Sequence, residues 1–144
     1  MDRTAREQWG LLVLRVAVGF IFFAHGWTNL LGGREAFLHA MLAMAGWDAP
    51  NLLVWALTAL EFLGGLALLL GILTRPFAFL LGAEMVGAMA LFYIREGFLI
   101  VAVPNVPLAY AFEYPLALVG ALICLALSGP GRYALENRLA ARTT

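Results

Sequence analysis

The stretch NLLVWALTALEFLGGLALLLGILTRPFA, residues 51–78, decides the fold class of this chain. Its apolar run from Asn51 to Leu73 is long enough for a membrane-crossing helix, which needs about 20 mostly apolar residues. Glu61 is the one charged residue within that run. A short polar turn follows, and Pro76 is well placed to open a second helix, because its missing N–H would be unpaired in a first turn anyway. The stretch therefore predicts two membrane helices joined by a tight turn.

The composition of the whole chain agrees with a lipid environment. Hydrophobic residues make up 63% of the 144 residues and charged residues 12%, and the mean hydropathy is +0.89. Soluble domains usually have about 45–50% apolar and about 25% charged residues. Polar side chains are too few to cover this protein in water, so the lipid bilayer is its expected partner. The net charge of zero argues against nucleic acid as a partner.

Four stretches have the length and composition of membrane spans, about 9–31, 51–73, 76–94 and 112–128. They show little strict alternation of polar and apolar residues, which argues against barrel strands. We therefore predict an all-α integral membrane four-helix bundle that forms a single domain over residues 1–144. Two further segments, about 34–46 and 98–110, are apolar enough to lie in the membrane interface.

Arginine placement predicts the orientation of these spans. Positively charged loops remain on the cytoplasmic side of a membrane. Six arginines fall at one predicted membrane face and two at the other: Arg3, Arg6, Arg75, Arg132, Arg138 and Arg142 against Arg34 and Arg95. Both termini are therefore predicted to be cytoplasmic in a multi-pass protein of the bacterial plasma membrane.

Ionisable residues inside membrane spans are costly and usually face the interior of the helix bundle, so they are candidate site residues. Arg15 lies ~9 Å and Glu84 ~12 Å from the cytoplasmic starts of their helices, at about 1.5 Å per residue. These matching heights predict an Arg15–Glu84 ion pair. Glu61 lies close to mid-membrane with no basic residue at its own level. It is therefore expected to keep its proton, which it could give to a quinone carbonyl or pass along a proton path.

His25 lies in the outer half of the first span, in the apolar segment FIFFAHGWTNLLGG, residues 20–33. Asn29 follows one helical turn later, and Glu113 enters the same leaflet from the fourth span. We predict that these three side chains line one pocket, in which His25 is a proton acceptor at a quinol. A second interpretation remains open, in which all these polar groups pair with one another and only fix the helix register.

Several chemistries have no signature in the sequence. Two histidines, one in a span and one in a loop, are a poor haem pair, and the single Cys124 cannot form a disulfide within one chain. No nucleotide-binding loop or H-E-x-x-H motif occurs. We therefore predict no metal site, no covalently bound cofactor and no electron carrier in this chain.

The chain resembles the DoxX family of four-helix integral membrane proteins. The residues that carry the resemblance are Arg15, GFIFFAHGWTNL (19–30), EFLGGLALLLGILTRPFA (61–78), REGF (95–98), Glu113 and GPGRYALE (129–136). Some members resemble the membrane subunit of thiosulfate:quinone oxidoreductase, and others are linked to membrane oxidoreductase complexes. By this resemblance Arg15, His25, Glu61 and Glu113 fall on recurrent polar positions, and Glu84 is less typical. Asn29 stands where the family often has lysine, which makes the outer polar cluster less positive.

These expectations combine into one functional hypothesis. The chain is predicted to be a quinone-interacting or accessory membrane subunit of an oxidoreductase complex, with other membrane or redox subunits as partners. Its predicted catalytic residues are His25, Glu61 and Glu113, and its predicted quinone-binding residues are Arg15, Asn29 and Glu84. Two alternatives stay open, a small proton-coupled transporter and a purely structural or assembly subunit, so enzyme activity is left undecided.

Overall fold

The computed structural model describes residues 3–31, 43, 46, 50–91 and 113–140. Four long helices follow one another along the chain: α1 (Arg3–Leu30), α2 (Asn51–Leu70), α3 (Thr74–Leu91) and α4 (Glu113–Ser128). A short helix, α5 (Leu135–Ala140), follows them. No strand occurs within these ranges. The predicted all-α class is therefore confirmed for the described residues.

The turn between α2 and α3, residues 71–73, lies earlier in the chain than predicted. Helix α2 ends at Leu70 instead of Leu73, because Gly71 adopts a left-handed backbone conformation with φ of 71°. The Gly71 N–H donates to the carbonyl oxygens of Ala67 and Leu68, and the Ile72 N–H donates to Ala67 over 2.9 Å. This pattern is a Schellman cap, which favours glycine because a Cβ atom is strained at positive φ.

Two helix starts also differ from the predicted ones. Helix α1 begins at Arg3, before the predicted start at Trp9, and α3 begins at Thr74, so Pro76 lies within its first turn. Proline is tolerated there because a first-turn N–H has no helical partner. Residues 92–94 and 112, together with nearly all of the predicted interfacial segments 34–46 and 98–110, lie outside the described residues.

Helices α1 and α2 pack antiparallel with their backbones in close contact. A Cβ atom added at Gly65 would meet the backbone of Phe23, and one added at Gly26 would meet the backbone of Phe62. Membrane helices use small residues in this way, because van der Waals contact between helices replaces the missing hydrophobic driving force. Outside this contact the rings of Phe23, Trp27 and Phe62 pack together, with centroids 5.2 to 6.1 Å apart.

A buried apolar cluster joins all four long helices. Helix α1 packs on α2 and α4, and α3 packs on α2 and α4. The cluster contains Val18, Phe22, Leu68, Ala78, Leu81, Leu118, Leu122 and Leu125. This packing places the inward-facing polar residues of α1, α2 and α3 next to one another.

The outward surface of these helices is strongly apolar. Leu52 is 81% exposed, Leu127 75% and Phe79 69%. Helix α1 from Thr4 to Leu30 and helix α2 are long and apolar enough to cross a membrane, and α4 is a shorter apolar helix. Soluble proteins rarely expose large contiguous apolar patches. This surface is therefore typical of a protein that contacts lipid.

Candidate functional site

The best-defined polar contact in the interior joins α1 to α2. The Asn29 side-chain amide donates to Glu61 Oε2 over 2.6 Å, and both residues are half-buried. The glycine contact between the two helices explains this geometry. Gly26 lies against the backbone of Phe62, so Asn29, about one turn beyond Gly26, comes level with the preceding turn of α2. The observed neighbour of mid-helix Glu61 is thus a neutral amide.

A second carboxyl group in this region belongs to Glu84 on α3. The two side chains are close enough for their charges to interact. Glu84 Oε2 is shielded from solvent and has no hydrogen-bond partner among the described residues. A buried polar atom without a partner costs about 1–3 kcal/mol, and native proteins have few of them. Asn29, Glu61 and Glu84 therefore form the candidate functional site, which we call the carboxyl site.

His25 and Glu113 are half-buried and each makes interactions in the folded chain. His25 lies in the last third of α1, and its carbonyl oxygen accepts a hydrogen bond from the Thr28 hydroxyl over 2.9 Å. Glu113 is the first residue of α4. Asn29, the third member of the predicted pocket, directs its amide to Glu61. The grouping of His25 with Glu113 stays a prediction.

The predicted Arg15–Glu84 ion pair is wrong. Arg15 is 2% exposed, and its Nη2 atom donates to the carbonyl oxygen of Tyr133 over 3.5 Å. A Cβ atom added at Gly71 would collide with Arg15 Nη1. Equal height along the helices did not produce a pair, because height does not fix the direction in which a side chain leaves its helix. The Arg15 guanidinium lies beside Gly71 and Tyr133 instead.

Arg15 instead belongs to a second buried polar group around the turn between α2 and α3. The charge of Glu136 acts on the Arg15 guanidinium. Glu136 also joins α5 to this turn, because its N–H donates to the Gly71 carbonyl oxygen over 3.1 Å and its Oε2 accepts from the Thr74 N–H over 3.4 Å. Arg15 thus holds the chain segment after α4 rather than the carboxyl site.

The side chains of the carboxyl site and of the group around Arg15 limit which ligands each could bind. Within the described ranges no three His, Cys, Asp or Glu side chains lie close enough to bind a metal ion. The carboxyl site offers two carboxyl groups and one amide, which suit a proton or a small polar ligand. This geometry is consistent with several membrane functions.

The DoxX family model matches residues 10–94 of this chain, which is more than half of its length. The chain belongs to the DoxX family. The matched region contains the whole carboxyl site and also His25 and Arg15, whereas Glu113 and the segment after α4 lie beyond it. The resemblance predicted from the sequence motifs is thereby confirmed.

Curated relatives extend the similarity to nearly the full chain. The inner membrane protein YqjF of Escherichia coli is 30% identical over 137 residues, which cover 92% of this chain and 94% of that protein. A Bacillus subtilis protein named "Putative oxidoreductase CatD" is 30% identical over 129 residues, with coverage of 88% and 84%. An uncharacterized membrane protein of Mycobacterium tuberculosis is 33% identical over 144 residues, with coverage of 93% and 83%. No solved structure matches.

These findings make this DoxX chain a membrane protein, as its composition predicted. The residues around the Arg15 guanidinium, Gly71, Tyr133 and Glu136, were not predicted from the sequence. The signal was present in GPGRYALE, residues 129–136, where two glycines break the fourth helix before a short polar one. Gly129 and Gly131 both have positive φ, and this turn brings the segment back over the start of α1.

Proposed function

We propose that this DoxX chain is the membrane subunit of a quinone-linked oxidoreductase complex of the bacterial plasma membrane. Its four long helices cross the bilayer as one bundle with both termini in the cytoplasm, as the excess of arginines at that face indicates. The redox centre belongs to a partner subunit. The name of the Bacillus subtilis relative supports an oxidoreductase role for this family.

The observation that carries the proposal is a buried oxygen of the Glu84 carboxyl group. Glu84 Oε2 is buried without a partner among the described residues, and Glu61 interacts with it electrostatically. Two negative charges that interact in a dry interior repel each other. The pair is therefore suited to bind one proton at a time, and Glu84 Oε2 can exchange a hydrogen bond with a quinone oxygen. The residues present fit such a ligand.

Each residue of the site has a distinct task in this proposal. A quinone would supply two-electron chemistry coupled to proton transfer. Glu84 holds or accepts the proton at Oε2, and Glu61 receives it in turn. Asn29 fixes the orientation of Glu61 through its 2.6 Å hydrogen bond. His25 and Glu113 form the outer proton acceptor. Arg15 acts at a distance by fixing the segment after α4.

The second candidate function is a small proton-coupled transporter. The same observation favours it, because neighbouring carboxyl groups on α2 and α3 form a proton-binding pair inside a membrane protein. The two functions differ in what accompanies the proton. A quinone-linked subunit needs a redox partner, whereas a transporter moves protons across the bilayer alone.

The test begins with the full chain extracted from its native membrane in a mild detergent. Co-purifying proteins are identified, and the melting temperature is measured with ubiquinone and menaquinone analogues. We expect a redox protein in the preparation and a rise in melting temperature. Glu84→Gln removes the proton that the carboxyl group can give and should weaken quinone binding by up to about tenfold, the upper size of an ordinary hydrogen-bond contribution. Glu7→Gln, an exposed carboxyl group at the start of α1, is the matched control and should leave binding unchanged.

Two other outcomes would replace this proposal. Proton flux into proteoliposomes that Glu61→Gln abolishes, without quinone binding, would identify a transporter. A Glu61→Gln variant that lowers the yield of a complex but leaves turnover per assembled complex intact would identify a structural subunit. Absence of both a quinone effect and a co-purifying redox protein would refute the quinone-linked role.

A further inference from the structure

A cleft of about 690 Å³ lies where the start of α1 meets the segment after α4. Its walls include Thr4, Gln8, Pro130, Arg132, Tyr133 and Asn137. The volume is within the range of small-ligand sites, about 300–1,000 Å³. Thr4 and Asn29 are separated by roughly 37 Å along α1, at about 1.5 Å per residue. The cleft is therefore a separate place from the carboxyl site.

Hydrogen bonds hold the wall of this cleft in place. Gln8 Oε1 accepts from the Arg132 N–H over 2.6 Å, and the Asn137 amide donates to the Gly131 carbonyl oxygen over 2.7 Å. Behind them the buried Arg15 donates to Tyr133. These contacts join both ends of the chain, so the cleft exists before any ligand arrives.

The chemistry of the lining is suited to an anion. The Arg132 guanidinium, the Thr4 hydroxyl and the Gln8 amide nitrogen are hydrogen-bond donors. Among the described residues that line the cleft none carries a carboxylate, and Glu136 is turned away to the Thr74 N–H. A second arginine lies close by, because a Cβ atom at Gly129 would be 2.9 Å from Arg75 Nε. Guanidinium groups bind phosphate oxygens well.

The position of the cleft favours a lipid over a soluble anion. The rings of Trp9 and Tyr133 pack with their centroids 4.8 Å apart, and tryptophan and tyrosine concentrate at the headgroup level of membranes. Apolar side chains such as Val13, 64% exposed, begin one turn further along α1. A headgroup in the cleft would thus have its acyl chains beside the apolar helix surface. Basic pockets between membrane helices are known to bind anionic headgroups.

We propose that this cleft binds the phosphate of an anionic phospholipid headgroup. Arg132 makes the charged contact, and Thr4 and Gln8 add hydrogen bonds to the phosphate oxygens. The bound lipid ties the start of α1 to the segment after α4. This site does not depend on the function of the carboxyl site.

The experiment measures lipid binding by the full chain in mixed micelles. Phosphatidylglycerol, phosphatidylcholine and inorganic phosphate are added separately, and retained lipid and melting temperature are recorded. The wild type should retain phosphatidylglycerol and be stabilised by it more than by phosphatidylcholine. Arg132→Gln should weaken phosphatidylglycerol binding by about tenfold, as expected for a lost charge-assisted hydrogen bond. The matched control is Arg138→Gln on α5, outside the cleft lining, which should change binding by less than about twofold.

The other outcomes overturn the proposal in distinct ways. Equal effects of phosphatidylglycerol and phosphatidylcholine on the wild type would exclude the site. Equal losses in Arg132→Gln and Arg138→Gln would show that only general surface charge attracts the lipid. Stabilisation by inorganic phosphate that matches that by phosphatidylglycerol would assign the cleft to a soluble anion. Thr4→Val removes one proposed phosphate donor without removing a charge and should weaken binding even if Arg132→Gln does not fold.

Discussion

The buried Arg15 guanidinium in α1 donates a hydrogen bond to the main-chain oxygen of Tyr133, 118 residues further along the chain. A main-chain acceptor is available whatever side chain occupies position 133, so this contact fixes the path of the chain rather than recognising a partner residue. The space for the guanidinium exists because Gly71 has no side chain. Arg15 therefore contacts both the turn between α2 and α3 and the segment after α4.

Gly71→Ala is expected to destabilise the protein. The left-handed conformation costs a non-glycine residue about 1–2 kcal/mol, and the new methyl group collides with Arg15 Nη1. We expect a loss of about 2 kcal/mol or more, measured as a lower melting temperature in detergent. Gly120→Ala is the control, because its Cβ atom would meet nothing within 4 Å. An unchanged melting temperature of Gly71→Ala would contradict the described turn.

Gly65→Ala should separate α1 from α2. Its Cβ atom would meet the backbone of Phe23 and the oxygen of Gly19, and backbone cannot move aside as a flexible side chain can. Overpacking of this kind typically costs about 1–3 kcal/mol. Gly87→Ala, in open space on α3, should be neutral or stabilising, since alanine favours a helix by about 0.5–1 kcal/mol over glycine. Similar thermal unfolding of both variants would argue against the close helix contact.

The Asn29–Glu61 contact can be measured with a double-mutant cycle. Asn29→Leu leaves the Glu61 carboxyl group without its amide donor, which should cost about 1–3 kcal/mol. Adding Glu61→Leu should recover part of the loss, with a coupling energy of about 0.5–3 kcal/mol in chemical or thermal unfolding. Asn51→Leu, at an exposed position at the start of α2, should change stability by less than about 0.5 kcal/mol. Strict additivity of the two substitutions would exclude the contact.

Glu84→Gln tests whether Glu84 acts through its proton rather than through its shape. Glutamine keeps the size and polarity of the side chain and removes the interaction with the charge of Glu61. We expect a stability change below about 1 kcal/mol, together with loss of proton-coupled activity in the assembled complex. Glu84→Asp keeps the ionisable group and should retain part of that activity. Full activity of the Glu84→Gln variant would show that Glu84 does not act by holding or transferring a proton.

Sequence patterns predicted the helices better than their contacts. The apolar runs gave all four long helices, because membrane helices need a minimum number of apolar residues whatever they pack against. The observed helix limits differ from the predicted ones where a cap ends the helix earlier, as at Gly71. Short α5 was missed, since six residues carry too little periodicity to be detected.

The partners of the buried polar groups were predicted less well. Arg15 and Glu84 were predicted to pair because they lie at equal heights along their helices. Height does not determine the direction in which a side chain leaves its helix. The Arg15 guanidinium lies beside Gly71 and Tyr133. The contact of the Asn29 amide with Glu61 was not predicted, because the glycines of α1 and α2 set the rotation of one helix against the other.

The membrane environment of this protein, its helical class and its family could be predicted from the chain alone, since they follow from composition, run length and local motifs. The contacts between its polar groups could not. Those contacts depend on helix rotation and on close backbone approach at Gly26 and Gly65, which are set by residues far apart in the chain. The carboxyl site and the anchoring of Tyr133 by Arg15 arise from that packing, because hydrogen bonds form only within about 3.5 Å.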